Sequence, residues 1–246
     1  MSTSFWLDRT PRSEKQVFDV VIVGAGITGL STAYWLEKED PSLKVAIVEK
    51  SRVSYGASGR NAGFVTCGSV EHFNRMINKH GMDQAVEIWR FSETNLRLLQ
   101  EEIVQGEGKS IQFENDGAFS LAAQENEFDE LKKVSEIMSG LKIPNEIVDA
   151  AGVEKRLGAK GFVGGIKYLG DSSTNPVGLL ERMRSMIKAP IFEGVEAYAI
   201  SNRDDGTKVL KTDKGDFECS MIALALNGYA ANLHPYFRDK IFPTRG

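Results

Sequence analysis

The sequence predicts an α/β fold in which a βαβ unit opens a parallel-sheet domain, an α+β segment is inserted, and a β-meander closes the sheet. Three observations predict it. A short apolar run at residues 20–23 ends in the turn Gly24-Ala25-Gly26-Ile27-Thr28-Gly29, and a helical pattern and a second apolar run at 45–48 follow. The middle of the chain mixes short strand patterns with an interposed helix. The last third carries closely spaced strand patterns separated by Asp-Gly and Lys-Gly turns.

Each residue type in the βαβ unit answers a physical demand. Gly24 permits the sharp strand-to-helix turn, Gly26 lets main chain approach a pyrophosphate, and Gly29 lets the helix sit against the strand. The first N–H groups of the helix face a ligand's negative charge. Glu49 closes the second run, where its carboxylate can accept hydrogen bonds from two ribose hydroxyls; a 2′-phosphate would meet like charge there, which disfavours NADP. Glycines placed for packing alone are the competing reading. The strand before the turn, the helix after it and the acid at the right distance together favour an ADP-containing dinucleotide.

Around this unit the chain is taken in order. Residues 1–16 are polar, contain Pro11 and read as an arm that Phe5 and Trp6 pin to the surface. After Glu49 the stretch 50–63 interleaves Gly56, Gly59 and Gly63 with Ser58, Arg60 and Asn61. Small residues let N–H groups approach phosphate or a flavin ring, and Arg60 offers a fork of donors. Apolar residues Ala85, Trp89, Leu96, Leu99 and Ile103 recur at helical spacing, with Trp89 in the core and Gly106 and Gly108 ending the helix. A strand is expected at 118–122, a helix at 125–138 with Phe128, Leu131, Val134 and Ile137 inward, and short strands at 146–148 and 165–168. Asn175-Pro176 reads as an N-cap followed by proline in the first turn, with Leu180, Met183 and Ile187 on one face. Strands follow at 191–192, 196–201, 208–212 and 216–226. The unbroken apolar run 221–226 reads as buried on both faces.

Composition narrows the function classes. The 246 residues hold 30 basic and 34 acidic side chains, a net charge of −4, with no block of like charge. That balance points to neither nucleic acid nor an anionic membrane surface. Cys67 and Cys219 lie far apart, and His72, His80 and His234 are scattered, so no metal site is expected. The N-terminus lacks a signal-peptide core and no run is long enough for a bilayer. A cytoplasmic protein with reduced thiols is the expectation.

These motifs, in this order, resemble the glycine oxidase, sarcosine oxidase and D-amino-acid oxidase (DAO) family of FAD-dependent oxidoreductases. The GASGRNAG stretch, residues 56–63, is most similar to the branch that includes γ-glutamylputrescine oxidase. The resemblance runs from about Phe18 to Gly246 and rests on the GAGITG turn, Glu49, residues 56–63, the TNP helix entry at 174–176 and the ALNG end of the last strand at 225–228. It implies a Rossmann-like FAD-binding domain of the GR2 type formed by 14–80 and 173–232, a substrate-domain part at 81–172, and the start of a return into that domain at 233–246. It also implies a role for each matching position. Gly24, Gly26, Ile27, Thr28 and Gly29 hold the pyrophosphate turn, and Glu49 with Lys50 holds the ribose. Ala57, Ser58, Arg60, Asn61, Ala62 and Gly63 line pyrophosphate and flavin, and Val195 meets adenine through its main chain. Asn227 and Gly228 pass close to the cofactor, although usual members carry alanine and glycine where this chain has Leu226-Asn227-Gly228.

Covalent attachment in some relatives uses a His after the second glycine-rich loop or a late Cys. Here Phe64 and Val65 follow the loop, so non-covalent FAD is expected. Family members run well past the motif matched at Pro243 to Gly246, so the fold is expected to be C-terminally incomplete, with an unpaired sheet edge and half a pocket; either a second chain or a homo-oligomer completes it, or the chain is a truncated product, or it folds as a reduced flavoprotein. The implied chemistry is hydride transfer from a small amine or amino acid to flavin, giving an imine, with Arg60 near the flavin and no side chain required as a base. A non-catalytic, partner-dependent FAD-binding fragment is the alternative, and an NAD-dependent dehydrogenase a weaker one, since it has no role for the meander or the loop after Glu49.

Overall fold

The computed structural model describes residues 16–241. The arm with Phe5 and Trp6 and the motif at 243–246 lie outside the described residues. The chain forms two compact units, which comprise 16–61 with 180–241, and 62–179, of the described residues.

The first unit is built on a six-stranded sheet. Its strands are β1 (Gln16–Val23), β2 (Val45–Glu49), β8 (Ile191–Glu193), β9 (Ala197–Asn202), β10 (Lys208–Thr212) and β11 (Gly215–Leu224), arranged β8-β2-β1-β11-β10-β9. The first four in that order are parallel, and the last two pairings are antiparallel. Helix α1 (Ile27–Glu39) connects β1 to β2, with Leu30 and Ala33 fully buried. Its Glu37 carboxylate accepts the N–H groups of Lys188 (2.9 Å) and Ala189 (2.6 Å), which fixes the chain entering β8. A second layer of core gathers Val21, Val23, Val48, Leu210, Phe217 and Cys219. Within it Phe192 meets Phe217 edge-on at 5.0 Å, and Phe18 lies 6.2 Å from each of them.

The meander follows its turn chemistry. Gly206 (φ +86) and Gly215 (φ +130) take the left-handed positions of the two turns, and Asp205 Oδ1 accepts the Thr207 N–H at 2.8 Å. Arg203 and Glu218 form a two-pronged ion pair at 2.7 and 2.5 Å. One expectation fails here. The run 221–226 is not buried on both faces: Met221 is 58% exposed and Ile222 to Leu226 are half-buried. The reason is pairing, because β10 follows β11 only as far as Cys219, whereas β1 follows it to Leu224.

The second unit holds an antiparallel sheet, β4 (Ala118–Ala122), β6 (Gly164–Tyr168) and β5 (Asn145–Asp149) in that order, and a two-residue ladder between β3 (Phe64–Val65) and β7 (Ser172–Ser173). Two helices absent from the sequence reading appear. In α2 (Val70–His80), Ser69 Oγ accepts the His72 N–H and Phe73 packs edge-on to Trp89 at 5.3 Å. The other, α5 (Ala150–Leu157), starts at Asp149, whose carboxylate accepts the Gly152 N–H at 2.8 Å. Helix α3 (Met82–Leu98) widens into a π-helical turn, Leu99–Val104. It ends on Gln105, held at φ +47, before the expected Gly106 and Gly108. In α4 (Glu125–Gly140) the buried positions Phe128, Leu131, Val134, Ser135 and Met138 keep one helical stripe. Ile137, expected inward, falls off that stripe and is 36% exposed. Helix α6 (Pro176–Met186) begins as expected, with Asn175 Oδ1 accepting the N–H groups of Val177 and Gly178 at 3.1 Å.

Leu30 is fully enclosed, so Leu30→Ala leaves a cavity that the sheet cannot close. It should lower unfolding free energy by about 2–5 kcal/mol, read as a lower urea midpoint with an unchanged slope.

Candidate dinucleotide site

The site is the junction of β1, α1 and the end of β11. Gly24 sits at φ +109, and a Cβ there would lie 2.5 Å from the Ala225 carbonyl oxygen. Gly24 donates its N–H to Val48 (2.8 Å), and Val23 accepts the Ala225 N–H (2.9 Å). A Cβ on Gly29 would overlap the Gly24 carbonyl oxygen, so helix and strand ends touch main chain to main chain. This is the packing expected of the third glycine.

The start of α1 suits an anion. Its N-cap is Gly26, which has no side chain of its own to cap the helix, and its first turn contains no acidic residue. Thr28 and Gly29 therefore present N–H groups along the helix axis, where the dipole favours negative charge. Ser58 in the loop after β2 comes back onto this end: its Oγ accepts the Ile27 N–H at 3.0 Å, and a Cβ on Gly26 would stand 2.8 Å from the same oxygen. The hydroxyl and the helix end can share one phosphate. The space over Gly26 is thus main chain plus one hydroxyl, a cradle that any side chain at 26 would fill. These residues fit a dinucleotide's pyrophosphate.

Glu49 stands at the strand end with one carboxylate oxygen on the Ala25 N–H (2.9 Å) and the other on the Ser51 N–H (2.8 Å). An ionised carboxylate has acceptor capacity beyond two such bonds, so it can take ribose hydroxyls as well. Val195 is buried and donates its N–H to the Glu49 carbonyl at 2.9 Å, which brings the β8 to β9 connection beside the end of β2. Lys50 is exposed and pairs with Glu196 at 2.7 Å. Asn227, at φ +48, turns the chain away from β11, and Gly228 follows in the same turn.

The loop 51–61 is held by its own atoms. Ala57–Gly59 makes one tight helical turn, with Asn61 Nδ2 donating to the Ser58 carbonyl at 2.7 Å. Arg60 donates from Nε to the Tyr55 carbonyl (2.8 Å) and lays its guanidinium over the Tyr55 ring at 4.6 Å. Two features had no sequence signal. Glu193 accepts the Val53 N–H at 2.7 Å, and Ser54 adopts φ +68 with a buried Oγ that has no hydrogen-bond partner. Ala62 and Gly63 belong to the second unit. There Gly63 (φ +76) accepts the Thr174 N–H on its carbonyl at 2.9 Å, and a Cβ at 63 would overlap the Thr174 carbonyl oxygen.

The second unit also encloses a carboxyl that sequence reasoning passed over. Asp171 is buried, takes the Cys67 N–H at 3.4 Å on Oδ1 and accepts the Gly117 N–H on its carbonyl at 3.0 Å. Burial pushes its carboxyl up to about 6. The neighbouring Cys67 thiol is pushed up to about 12, by burial first and then by Asp171 and Glu93. Among the described residues no group of three or more His, Cys, Asp or Glu is placed to hold a metal ion, and no helix is long and apolar enough to cross a membrane.

A parallel sheet with a glycine-lined turn at a helix N-terminus and an acid at the next strand's end defines a Rossmann-type dinucleotide-binding protein. Comparison with known proteins makes this specific. The profile of the DAO family, FAD dependent oxidoreductase, matches residues 19–246, and the chain belongs to that family. FAD is the family's cofactor. The chain is 30% identical to a probable oxidoreductase OrdL of Haemophilus influenzae over 95% of its own length and 55% of that protein's. It is 24% identical to the γ-glutamylputrescine oxidoreductase of Escherichia coli, over 88% of this chain and 50% of the relative. The chain thus spans about half the length of these curated relatives. Glycine oxidase from Geobacillus kaustophilus shares the fold, with a TM-score of 0.73 at 24% identity over 89% of this chain and 57% of its own.

Two outcomes follow from the strained and buried groups. Ser54→Gly removes a left-handed serine and an unsatisfied hydroxyl. It should stabilise the chain by about 1 kcal/mol after glycine's entropy is counted, a rise of a few degrees in melting temperature. Asp171 ionises near 6 in the fold against its ordinary 3.8, so its neutral form favours folding. Stability is therefore complete below about pH 4 and declines as pH rises through 6. Asp171→Asn should flatten that decline in urea titrations between pH 4 and 7.

Proposed function

We propose that this chain binds FAD without a covalent bond at the turn 24–29 and belongs to an enzyme that oxidises a small amine or amino acid. The observation that carries the reading is the start of α1, where the N-cap residue Gly26 has no side chain and Gly24, Gly26 and Gly29 clear main chain for a pyrophosphate beside Glu49. FAD held there would supply the redox chemistry, as the acceptor of a hydride from the α-carbon of a substrate amine, whose imine product water would hydrolyse.

The chain's own residues bind and orient. Thr28 and Gly29 offer N–H groups to the pyrophosphate, with the Ser58 hydroxyl beside them. Glu49 receives the ribose hydroxyls and Val195 meets adenine through its main chain. Lys50, Ala57, Asn61, Ala62, Gly63, Asn227 and Gly228 are assigned to the same cofactor surface, and Arg60 to the flavin's neighbourhood. Cofactor contact divides the chain differently from compactness. Residues 14–80 and 173–232 are the proposed FAD-binding part, 81–172 the substrate-facing part, and 233–246 the start of a return to it. The similarity to a γ-glutamylputrescine oxidoreductase supports an amine-type substrate. The proposed compartment is the cytoplasm, where the free thiols Cys67 and Cys219 stay reduced.

The absorbance spectrum of the purified chain with added FAD tests the first half. Flavin bands that remain after gel filtration, and flavin released on acid denaturation, are expected; a colourless protein refutes the binding. Gly26→Ala puts a methyl group into the space shared with Ser58 and should weaken FAD at least about tenfold, or 1.4 kcal/mol, with the circular dichroism spectrum unchanged. Anaerobic addition of putrescine, glycine and sarcosine tests the second half, with bleaching of the flavin bands by at least one of them as the expected result.

A further inference from the structure

The strain at Ser54 belongs to a turn whose ends carry exposed side chains. The Tyr55 N–H donates to the Arg52 carbonyl at 3.2 Å, closing a four-residue turn with Ser54 in its third place, where a turn can require positive φ. Val53, in the second place, gives its N–H to the Glu193 carboxylate at 2.7 Å. Gly59 is pressed against the same turn, since a Cβ there would lie 2.1 Å from the Ser54 carbonyl oxygen. Val53 and Ser54 are buried, whereas Arg52 and Tyr55 are exposed. The helical turn Ala57–Gly59 then brings the chain back, and Arg60 arrives beside Tyr55. Backbone strain kept where it could be relieved by glycine points to a use for the conformation.

Arg60 is held from two sides. Its Nε donates to the Tyr55 carbonyl at 2.8 Å, and its guanidinium lies 4.6 Å from the centre of the Tyr55 ring. The Arg52 guanidinium lies 5.7 Å from the same centre. The two like charges are therefore no farther apart than about 10 Å, about one Debye length in 0.1 M salt. Among the described residues neither is paired with a carboxylate. The neighbouring acids are engaged elsewhere, Glu49 by the Ala25 and Ser51 N–H groups and Glu193 by the Val53 N–H and Arg184. A carboxylate would hold an arginine and cancel its charge, whereas a ring and a carbonyl hold it and leave the charge in place. We propose that Tyr55 positions Arg60, so that its two terminal nitrogens, reinforced by the charge of Arg52, receive the negative charge of FAD bound at the turn 24–29. Nε is already committed to Tyr55, which leaves the terminal nitrogens as the donors. The inference rests on the FAD reading and adds to it the residue that orients Arg60.

The test is an FAD titration of the full chain and of Tyr55→Leu, Tyr55→Phe and Arg52→Gln, read by quenching of flavin fluorescence, with the Arg60 Nε–H signal followed by NMR in the flavin-free proteins. Tyr55→Leu should weaken FAD at least about tenfold and flatten the dependence of affinity on salt, because a guanidinium that wanders no longer meets the cofactor as a fixed charge. Tyr55→Phe keeps ring and carbonyl and should bind within about twofold of the wild type. The Arg60 Nε–H resonance should be displaced by the ring in the wild type and in Tyr55→Phe, and should fall among those of solvated arginines in Tyr55→Leu. If Tyr55→Leu fails to fold by circular dichroism, Arg52→Gln, which changes only an exposed side chain, should weaken FAD at least about threefold. A folded Tyr55→Leu that binds FAD as the wild type does overturns the proposal and leaves the FAD reading standing. Tyr55→Phe binding as poorly as Tyr55→Leu, or Arg52→Gln binding unchanged, does the same. A wild-type chain that takes up no FAD overturns both.

Discussion

Three stretches of main chain meet where β1 ends, and the first unit depends on how closely they come. The carbonyl of Gly24 lies where a Cβ of Gly29 would be, and the carbonyl of Ala225 lies 2.5 Å from where a Cβ of Gly24 would be. Side chains are excluded twice within six residues. Because main chain meets main chain there, α1 starts directly over the strand ends, and the Thr28 and Gly29 N–H groups at its start face outward along the helix axis. The hydrogen bonds Gly24 to Val48 and Ala225 to Val23 hold the three strand ends level, so Glu49 emerges within reach of the same helix start. Fold and candidate site are one construction at this point.

Ser58 and Glu49 show how such a site keeps its polar groups satisfied by itself. Each accepts main-chain N–H groups of the turn, Ser58 that of Ile27 and Glu49 that of Ala25. Both also keep acceptor capacity for further donors. The turn is thereby organised before any ligand arrives, which lowers the ordering cost that binding must overcome. Ser54 is the exception in the same loop, a serine in a left-handed conformation with no partner for its hydroxyl.

The parts of this architecture legible in the sequence were those governed by local rules. Glycine spacing, the acid after β2, the Asn-Pro helix entry and the Asp-Gly turns each follow from geometry within a few residues, and each appears where local chemistry puts it. Helix α2 was missed because its polar residues hide a stripe whose only enclosed anchor among the described side chains is Phe73, although Ser69 and Gly81 mark its ends. Ile137 was misplaced because two apolar residues stand side by side, and only packing decides that Met138 is the one enclosed. The exposure of Met221 was illegible for a different reason. An apolar run reports what a strand's faces require, whereas the length over which a neighbour follows it is decided by β10, which turns away. Asp171 and Ser54 carry no periodic signal at all, since their environments are made by residues distant in sequence.

The pairing order also sets a timetable for folding. Strands β1 and β2 belong to the first fifty residues, while the two strands that flank them, β8 and β11, come after residue 190. The aromatic contacts joining Phe18 to Phe192 and Phe217 span the same distance. The second unit is continuous in sequence and can close on contacts of shorter range, but the first must wait for chain made after residue 190. Contacts so remote in sequence form slowly, because loop closure has to precede any gain from burial. On the ribosome, the glycine turn stays without its third wall until Ala225 has emerged, so Ile22, Ile47 and their neighbours wait without cover until then, and a chaperone that shields apolar strands would act on that segment first.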